Sequence, residues 1–371
     1  MYDYLIVGAG LFGAVLADIL TSSNKSVLVV EKKGVVGGTV YTDVEEGIVV
    51  HRYGAHIFRT NDKVVWDYIN QFDTFYGFIN TPIAIRNNVA YNLPFNMNTF
   101  SKLWNITTPA EAQAIITAQT EEFKQIIPSN LEEYALSVVG KDIYNYFIKD
   151  YTEKQWNKPC SLLPANTMCR IPIRLTYDNN YYTALYQGVP VGGYTPIISK
   201  MLSKSDVQFN TDGKRFITDN PNIANKIIYT GRIDEYFDYV FGKLEYRSLR
   251  FEHRKFDMPN KQGVAVVNWS DKNIPYTRTI EHKHFLKTVS DKTIVSYEYP
   301  VMCDDKNEAY YPVNTADNNA IYDKYCKSNK TDIIFAGRLG NYVYTDMQDT
   351  IKNAFKLSKI LLKEDKENGN I

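Results

Sequence analysis

Apolar runs and helix-like apolar spacing alternate at both ends of the chain. Near the N-terminus, YLIV (residues 4–7) precedes AVLADIL (14–20), and VLVVEK (27–32) follows as a second apolar run. Near the C-terminus, IIFAG (333–337) precedes IKNAFKLSKILLK (351–363) in the same way. Strands that alternate with helices are typical of a parallel sheet covered by helices. The pattern therefore predicts an α/β domain that is discontinuous in sequence.

The middle of the chain has two other patterns. TPAEAQAIITAQTEEF (108–123) starts with the helix signals Thr108, Pro109 and Glu111, and a second helical stretch follows over 130–151. The segments GVAVVNW (263–269), YTRTIEHKHF (276–285) and TIVSYEY (293–299) instead have β-forming residues between turns. We therefore expect a helical insertion followed by antiparallel strands.

A glycine-rich turn lies between the first strand and the first helix. GAGLFGA (8–14) has the GxGxxG spacing, and Glu31 ends the second strand eighteen residues after Gly13. Glycines allow the backbone to approach a pyrophosphate, and an acid at that position accepts ribose hydroxyls. A second glycine pair, Gly37 and Gly38, follows directly and favours FAD over a nicotinamide dinucleotide.

Composition narrows the class of protein. Lys and Arg number 42, as do Asp and Glu, so no overall charge favours nucleic acid or an anionic membrane. No apolar run approaches the roughly 18 residues of a bilayer span, and no signal peptide precedes the first strand. Four scattered cysteines indicate neither a zinc site nor a disulfide framework, so a cytoplasmic protein is expected. The 29 tyrosines suit a polar ligand that contains rings.

Two pairs of histidines are candidates for a metal site. His51 and His56 lie in HRYGAHIFRT (51–60), and His282 and His284 lie in EHKHF (281–285). Neither pair has a third Cys, Asp or His at metal-ligand spacing. No metal is therefore predicted.

These motifs together resemble the bacterial UDP-galactopyranose mutases over nearly the whole chain. Beside the glycine motifs and HRYGAHIF, the resemblance rests on LPFNMNT (93–99), YTEKQW (151–156), RIPIR (170–174), DNNYY (178–182), VGGYT (191–195), IPYTRTIEHKHF (274–285), YYPV (310–313) and GRLGNYVYTDM (337–347). It implies an α/β fold in which a Rossmann-like FAD-binding domain carries a helical bundle and a six-stranded antiparallel sheet. We assign 1–80, 185–240 and 312–371 to the FAD-binding domain, 95–160 to the helical domain, and 81–94, 161–184 and 241–311 to the sheet domain.

The resemblance also implies a reaction. The family interconverts UDP-galactopyranose and UDP-galactofuranose, which supplies furanose donors for cell-surface glycans, and its FAD is active when reduced. Flavin N5 attacks the anomeric carbon and displaces UDP, the adduct opens to an iminium, and the sugar recloses through its C4 hydroxyl. The departing diphosphate needs arginine and phenol donors. Family members are typically homodimers, so a homodimer is expected.

The resemblance assigns roles to residues of this chain. Arg278, Arg170 and His56 are the expected catalytic residues, and the segment 157–181 is the expected mobile flap. The expected substrate-binding residues are Arg59, Asn80, Tyr151, Trp156, Arg170, Tyr181, Asn268, Arg278, Tyr311 and Tyr344. The expected cofactor-binding residues are Gly8, Gly10, Phe12, Gly13, Glu31, Lys32, Gly38, Thr39, His56, Arg247, Arg338, Tyr344, Asp346 and Met347.

One position departs from the family pattern. Many members have histidine where this chain has Arg59, so that HIFHT becomes HIFRT. Arginine is longer, permanently charged and rich in donors, so it could reach a carbonyl attached at the sugar's C2. The hypothesis is that the enzyme also accepts UDP-N-acetylgalactosamine; the alternative is an arginine that points into solvent. At the level of function, the alternatives are an FAD-dependent oxidoreductase of the amine-oxidase type and a non-catalytic FAD protein.

Overall fold

The computed structural model describes residues 1–168, 173–304, 307–329 and 331–367. The strands are β1 (Tyr2–Val7), β2 (Val27–Val30), β3 (Thr42–Glu45), β4 (Ile48–His51), β5 (Phe58–Thr60), β6 (Phe75–Tyr76), β7 (Ile83–Arg86), β8 (Val89–Asn92), β9 (Tyr186–Pro190), β10 (Asp206–Gln208), β11 (Ala224–Tyr229), β12 (Tyr246–Phe256), β13 (Val266–Trp269), β14 (Arg278–Glu281), β15 (Thr293–Met302), β16 (Tyr311–Pro312) and β17 (Ile333–Phe335). The helices are α1 (Leu11–Ser22), α2 (Lys63–Ile69), α3 (Met97–Trp104), α4 (Pro109–Thr120), α5 (Leu131–Ile143), α6 (Lys149–Trp156), α7 (Tyr194–Met201), α8 (Gly213–Asp219), α9 (Ile233–Tyr236), α10 (Ala316–Ser328), α11 (Gly337–Gly340) and α12 (Met347–Glu367).

The predicted α/β domain is built on a parallel sheet with the strand order β10-β2-β1-β11-β17. Its strands come from both ends of the chain and from the middle, so the sheet is discontinuous in sequence, as the apolar pattern predicts. Side chains alternate along β1, where Tyr4 and Ile6 face the core beneath α1, α7 and α12. Leu5 and Val7 face the opposite side and pack with Ile217 of α8. Helices therefore cover both faces, which explains why β1 and β2 are almost continuously apolar.

The second sheet has seven strands in the order β16-β12-β15-β14-β13-β7-β8. The expectation of six antiparallel strands is wrong in two details. The described residues form seven strands in this sheet, and β7 runs parallel to β13. Its neighbouring pairs are otherwise antiparallel, with β12 and β15 paired from Arg247–Met302 to Phe256–Thr293. The hairpin of β7 and β8 comes from an earlier part of the chain than β13 and adds to the edge of the sheet.

Helices α3 to α6 form the predicted helical insertion and share one apolar core, which includes Phe100, Ile116 and Leu131. Helix α4 begins where the sequence predicts it, with a capping box between Thr108 and Glu111. A kink at Gly140 interrupts α5, and a π-helical turn (Tyr144–Ile148) leads into α6. Among the helices of the described residues, none is long and apolar enough to cross a membrane.

Candidate active site

The glycine turn between β1 and α1 forms one wall of the site. A side chain at Gly13 would place its Cβ 2.1 Å from the carbonyl oxygen of Gly8, so the close contact between turn and helix requires glycine there. A Cβ at Gly10 would instead have no described atom within 4 Å. Gly10 therefore faces open space at the start of α1, where the free N–H groups of a helix N-terminus favour a phosphate.

Glu31 lies at the end of β2, beside this turn, and is 7% exposed. Its carboxylate accepts hydrogen bonds from the backbone N–H groups of Ala9 at 2.8 Å and Lys33 at 2.9 Å. Each carboxylate oxygen can accept a further hydrogen bond. Glu31 is thus held in place by the backbone while it can still accept a ribose hydroxyl.

Two adjoining cavities run past the glycine turn. One, of about 480 Å³, is lined by Glu31, and the other, of about 310 Å³, lies between the turn and the seven-stranded sheet. They share the lining residues Gly10, Thr39, Tyr53, Thr230, Tyr310, Arg338 and Leu339. One extended ligand can therefore occupy both cavities with its middle over Gly10. That arrangement fits FAD, with the adenosine beside Glu31 and the flavin facing the sheet. We therefore call the cavity lined by Glu31 the adenosine-side cavity and the other the flavin-side cavity.

Arg278 points into the flavin-side cavity from β14. It lies opposite Glu298 of β15, and its Nε and Nη2 donate to Oε1 of that residue at 3.1 Å and 2.8 Å. Glu298 is fully buried. Burial opposes the charge of Arg278, but the Glu298 carboxylate outweighs it and raises the pKa of Arg278 well above its ordinary value. Arg278 is therefore a permanent cation held in one orientation.

Phenols surround Arg278. Tyr311 and Tyr344 line the same cavity, and their ring centroids lie 5.8 Å apart. Burial raises the pKa of Tyr311, and it raises the pKa of Tyr151 to about 12 although the charge of Arg278 acts against it. These two phenols stay neutral at physiological pH, so they remain hydrogen-bond donors beside a cation.

A second group of predicted residues adjoins this cavity without lining it. The Trp156 ring centroid lies 6.5 Å from that of Tyr311, which places the end of α6 beside β16. The carbonyl of Asn80 accepts a hydrogen bond from the Tyr181 N–H at 2.8 Å. Asn268 of β13 lies opposite Arg278 in the register of the two strands. These contacts extend the site from Arg278 toward the helical insertion.

His56 lines the flavin-side cavity and begins a connected series of histidines. The backbone N–H of His56 donates to Nδ1 of the His51 ring at 3.2 Å. The backbone N–H of His51 donates in turn to Nδ1 of the His282 ring at 3.2 Å. Nε2 of His282 must therefore carry the proton, and it lies 2.6 Å from Oγ of Ser296, which lies 2.6 Å from Nδ1 of His253. Burial lowers the pKa of His56 to about 4 and that of His51 to about 3. Both rings are neutral at pH 7.

These buried histidines predict that the protein loses stability in mild acid. Burial lowers the pKa of all four rings, those of His56 and His51 to about 4 and about 3. Between about pH 6.5 and about pH 4, His51 and His56 therefore bind protons in the unfolded chain but not in the folded chain. The free energy of unfolding therefore has its full value above about pH 6.5. It decreases as the pH is lowered, by up to about 1.4 kcal/mol per pH unit for each histidine. Urea unfolding at pH 7.5, 6.5 and 5.5 measures the slope.

A matched pair of variants isolates the source of that slope. His51→Gln should reduce the slope by the share of one histidine, whereas His284→Gln, which alters a ring 3.2 Å from Glu281 and outside the series, should not reduce it. An unfolding free energy that stays constant between pH 7.5 and 5.5 would contradict the expectation.

Arg59 lies on β5 and lines the same cavity as Arg278. Its guanidinium carbon lies 4.5 Å from the ring centroid of Tyr182, and Nη2 lies 3.4 Å from Oδ2 of Asp346. Asp346 also accepts a hydrogen bond from the Asp349 N–H at the start of α12. Arg59 is therefore ordered between a ring and a carboxylate at the edge of the site.

The structure places the predicted residues in three sets. Those that line the flavin-side cavity are Gly10, Phe12, Gly13, Thr39, His56, Arg59, Arg278, Tyr311, Arg338, Tyr344, Asp346 and Met347, and the adenosine-side cavity adds Gly8, Glu31, Lys32 and Gly38. Asn80, Tyr151, Trp156, Tyr181, Asn268 and Arg247 line neither cavity. Arg170 and part of the expected flap lie outside the described residues.

Arg247 stands apart from the other predicted cofactor residues. It is 2% exposed, and its Nε donates to the carbonyl of Gln155 at 3.0 Å, beneath the end of α6. Its neighbour in the register of β12 and β16 is Tyr311. Arg247 therefore supports the sheet and α6 behind the cavity.

Sequence reasoning missed some residues of the site. Glu298 holds Arg278, Tyr182 packs against Arg59, and Tyr310 and Thr230 line the cavity. The single acid in the apolar strand TIVSYEY could have indicated Glu298, because a buried carboxylate needs a partner. Thr230 follows β11 without a motif, so no pattern in the sequence marks it.

The fold and site together define a dinucleotide-dependent enzyme with a cationic, tyrosine-lined pocket for an anionic substrate. A family model described as UDP-galactopyranose mutase matches residues 146–344, and one described as NAD(P)-binding Rossmann-like domain matches residues 6–72. The chain belongs to the UDP-galactopyranose mutase family.

Individual relatives agree with that assignment. The chain is 34% identical to dTDP-fucopyranose mutase of Escherichia coli over 99% of this chain and 100% of that protein. It is 35% identical to the probable UDP-galactopyranose mutase of Klebsiella pneumoniae, over 95% of this chain and 93% of that protein. A crystal structure of reduced UDP-galactopyranose mutase shares the fold with a TM-score of 0.74 at 14% identity, over 98% of this chain and 96% of that one.

These findings confirm the family, the α/β fold class and the assignment as an isomerase. FAD, the cofactor of the family, is confirmed with them. The cavities along the glycine turn supply the space that this cofactor requires.

Proposed function

We propose that this mutase interconverts UDP-galactopyranose and UDP-galactofuranose with its FAD reduced, and that Arg278 binds the diphosphate during the reaction. The observation that carries the proposal is the placement of Arg278, Tyr311 and Tyr344 across one cavity from the Gly10 turn. Anion donors thereby face the flavin end of the cofactor site. When bound and reduced, FAD would supply an electron-rich nitrogen as the nucleophile for the sugar.

The geometry around Arg278 explains how it serves a leaving diphosphate. A guanidinium has five N–H donors, and Glu298 accepts from Nε and Nη2, which leaves both hydrogens of Nη1 and one of Nη2 for phosphate oxygens. Because the cation is already oriented, it can stabilise charge that develops on the phosphate without reorganising. The neighbouring phenols donate further hydrogen bonds but add no charge.

The test is an assay with dithionite and without any electron acceptor. The reduced enzyme should convert UDP-galactofuranose to UDP-galactopyranose, and the oxidised enzyme should not. Turnover that depends on an acceptor and oxidises the substrate would instead support the amine-oxidase alternative. Chromatography of the nucleotide sugars measures both outcomes.

Arg59 supports the finer proposal that the enzyme also accepts UDP-N-acetylgalactosamine. Arg59 lines the same cavity as Arg278, and its ring contact with Tyr182 leaves guanidinium hydrogens free to donate to a C2 carbonyl. The ion pair between Arg59 and Asp346 is partly exposed, since 39% of the Arg59 side chain and 25% of the Asp346 side chain are accessible to solvent. Its contribution to stability is therefore small, and a ligand can compete with it.

Arg59→His is expected to lower the ratio of kcat/KM for UDP-N-acetylgalactosamine to that for UDP-galactose about 10- to 100-fold, the equivalent of one hydrogen bond to a charged donor. Arg52→His serves as the control, because Arg52 pairs with Asp43 at 2.8 Å and lines neither cavity. It should leave the ratio unchanged. The same ratio in Arg59→His and wild type would refute the role of Arg59.

One of the relatives named above is a dTDP-fucopyranose mutase, which makes dTDP-fucopyranose a third substrate to compare. It differs from UDP-galactose in the base, in the lack of the 2′-hydroxyl of the nucleoside and in the lack of a C6 hydroxyl. Turnover of this sugar in preference to both UDP-sugars would move the proposal from UDP-sugars to a deoxythymidine nucleotide.

A further inference from the structure

Lys154 occupies a cage of backbone oxygens outside both cavities. Its Nζ donates to the carbonyl oxygens of Trp269 and Ile274 at 2.9 Å and of Asp271 and Tyr276 at 3.0 Å. Trp269 is the last residue of β13, and the other three acceptors belong to the turn between β13 and β14. A ring of carbonyl oxygens around one charge is how proteins replace the hydration shell of a monovalent cation.

The cage joins two elements that carry different parts of the site. Lys154 belongs to α6, which also carries Tyr151 and Trp156. The turn leads directly into β14, whose first residue is Arg278. Since both elements are fixed at the same ammonium, the distance between the aromatic end of α6 and Arg278 depends on it.

A second contact lies one helical turn earlier on the same face of α6. Arg86 of β7 donates from Nη1 to Asp150 at 2.7 Å and to the carbonyl of Ser270 at 2.7 Å. Asp150 and Lys154 are four residues apart and therefore share a face of the helix. The charge pair and the carbonyl cage hold α6 against the turn from one side.

The charge of Lys154 persists at neutral pH. Burial lowers the pKa of Lys154 to about 8, with Asp271 and Asp150 acting against this and Arg86 adding to it. At pH 7 the amine is therefore mostly protonated, and its three N–H groups are shared among the four carbonyls.

We propose that Lys154 is a positioning residue that acts as an internal monovalent cation and sets the α6 aromatic residues at their distance from Arg278. The inference rests on the proposed function, in which Arg278 binds the diphosphate, and on the expectation that Tyr151 and Trp156 of α6 bind the substrate. Removal of the ammonium should take a donor away from four carbonyl oxygens, of which that of Asp271 keeps the Ile274 N–H at 3.3 Å. The turn should then move away from α6, and UDP binding should weaken. FAD binding should stay intact, because the glycine turn and Glu31 belong to the parallel sheet.

The experiment measures UDP affinity by calorimetry in Lys154→Ala, first with choline chloride and then with ammonium chloride. In choline, we expect the Kd for UDP to rise at least about tenfold, the equivalent of one hydrogen bond to a charged group. Ammonium should restore most of the affinity, because it can enter the vacated cage. Flavin content, read from its absorbance, should equal that of wild type in both salts.

Two further variants sharpen the outcome. Lys154→Met keeps the length of the side chain without its charge, so its UDP affinity should be low in both salts, and it replaces the alanine variant if that chain does not fold. Lys141→Ala, an exposed lysine of the kinked helix α5, should match wild type in both salts. Wild-type UDP affinity in Lys154→Met, or equal affinities of Lys154→Ala in choline and ammonium, would overturn the proposal. A wild-type enzyme that binds no UDP would refute the proposed function instead.

Discussion

Replacing Arg278 with alanine is expected to lower kcat about 10²- to 10³-fold, the usual loss when a preoriented donor to transition-state charge is removed. The structure supports a large effect because Arg278 faces the cavity while Glu298 holds it from behind. Tyr311 and Tyr344 can still donate hydrogen bonds but cannot replace the positive charge. Stopped assays of sugar interconversion by the reduced enzyme measure kcat and KM separately.

The same substitution should also destabilise the protein, because Arg278 has a second role in neutralising the buried charge of Glu298. Glu298 is fully buried and would lose its partner, and an uncompensated buried charge costs about 3–5 kcal/mol. The double variant Arg278→Ala, Glu298→Gln removes that charge, so it should recover much of the stability and none of the activity. Recovery of activity in the double variant would contradict a direct role of Arg278 at the diphosphate.

Replacing Gly10 with valine is expected to leave a folded protein with close to no bound FAD, and hence no activity. No described atom lies within 4 Å of a Cβ at this position, so the added side chain extends into the open space where we expect the cofactor's phosphates to approach α1. The flavin absorbance that remains after gel filtration measures FAD, and far-ultraviolet circular dichroism measures the fold.

Gly13→Val should behave differently from Gly10→Val. Its Cβ would lie 2.1 Å from the Gly8 carbonyl oxygen, a distance that forces the turn and α1 apart, so the fold itself should be lost or strongly destabilised. Gly77→Val is the control, because a Cβ there also meets no described atom within 4 Å and Gly77 lines neither cavity. It should retain fold and flavin. Normal FAD content in Gly10→Val would show that the cofactor does not pass over this glycine.

The parts of the fold that local patterns specify were predictable. The glycine turn, Glu31 and the start of α4 depend on residues close together in sequence, where backbone sterics, helix capping and ribose chemistry each restrict the residue type. The segment 81–94 was assigned to the sheet domain, but the parallel pairing of β7 with β13 was not predictable from local patterns, since it joins segments far apart in the chain. Local propensity carries no information on which edge a hairpin joins.

The sequence by itself determined the family, the cofactor and the residue types of the site, because those depend on motifs in order along the chain. Only the tertiary structure decided which groups meet: Glu298 behind Arg278, Tyr182 and Asp346 around Arg59, and four carbonyl oxygens around Lys154. A charge buried away from water must find its partner across space, and strand register and helix docking, which no single motif encodes, select that partner.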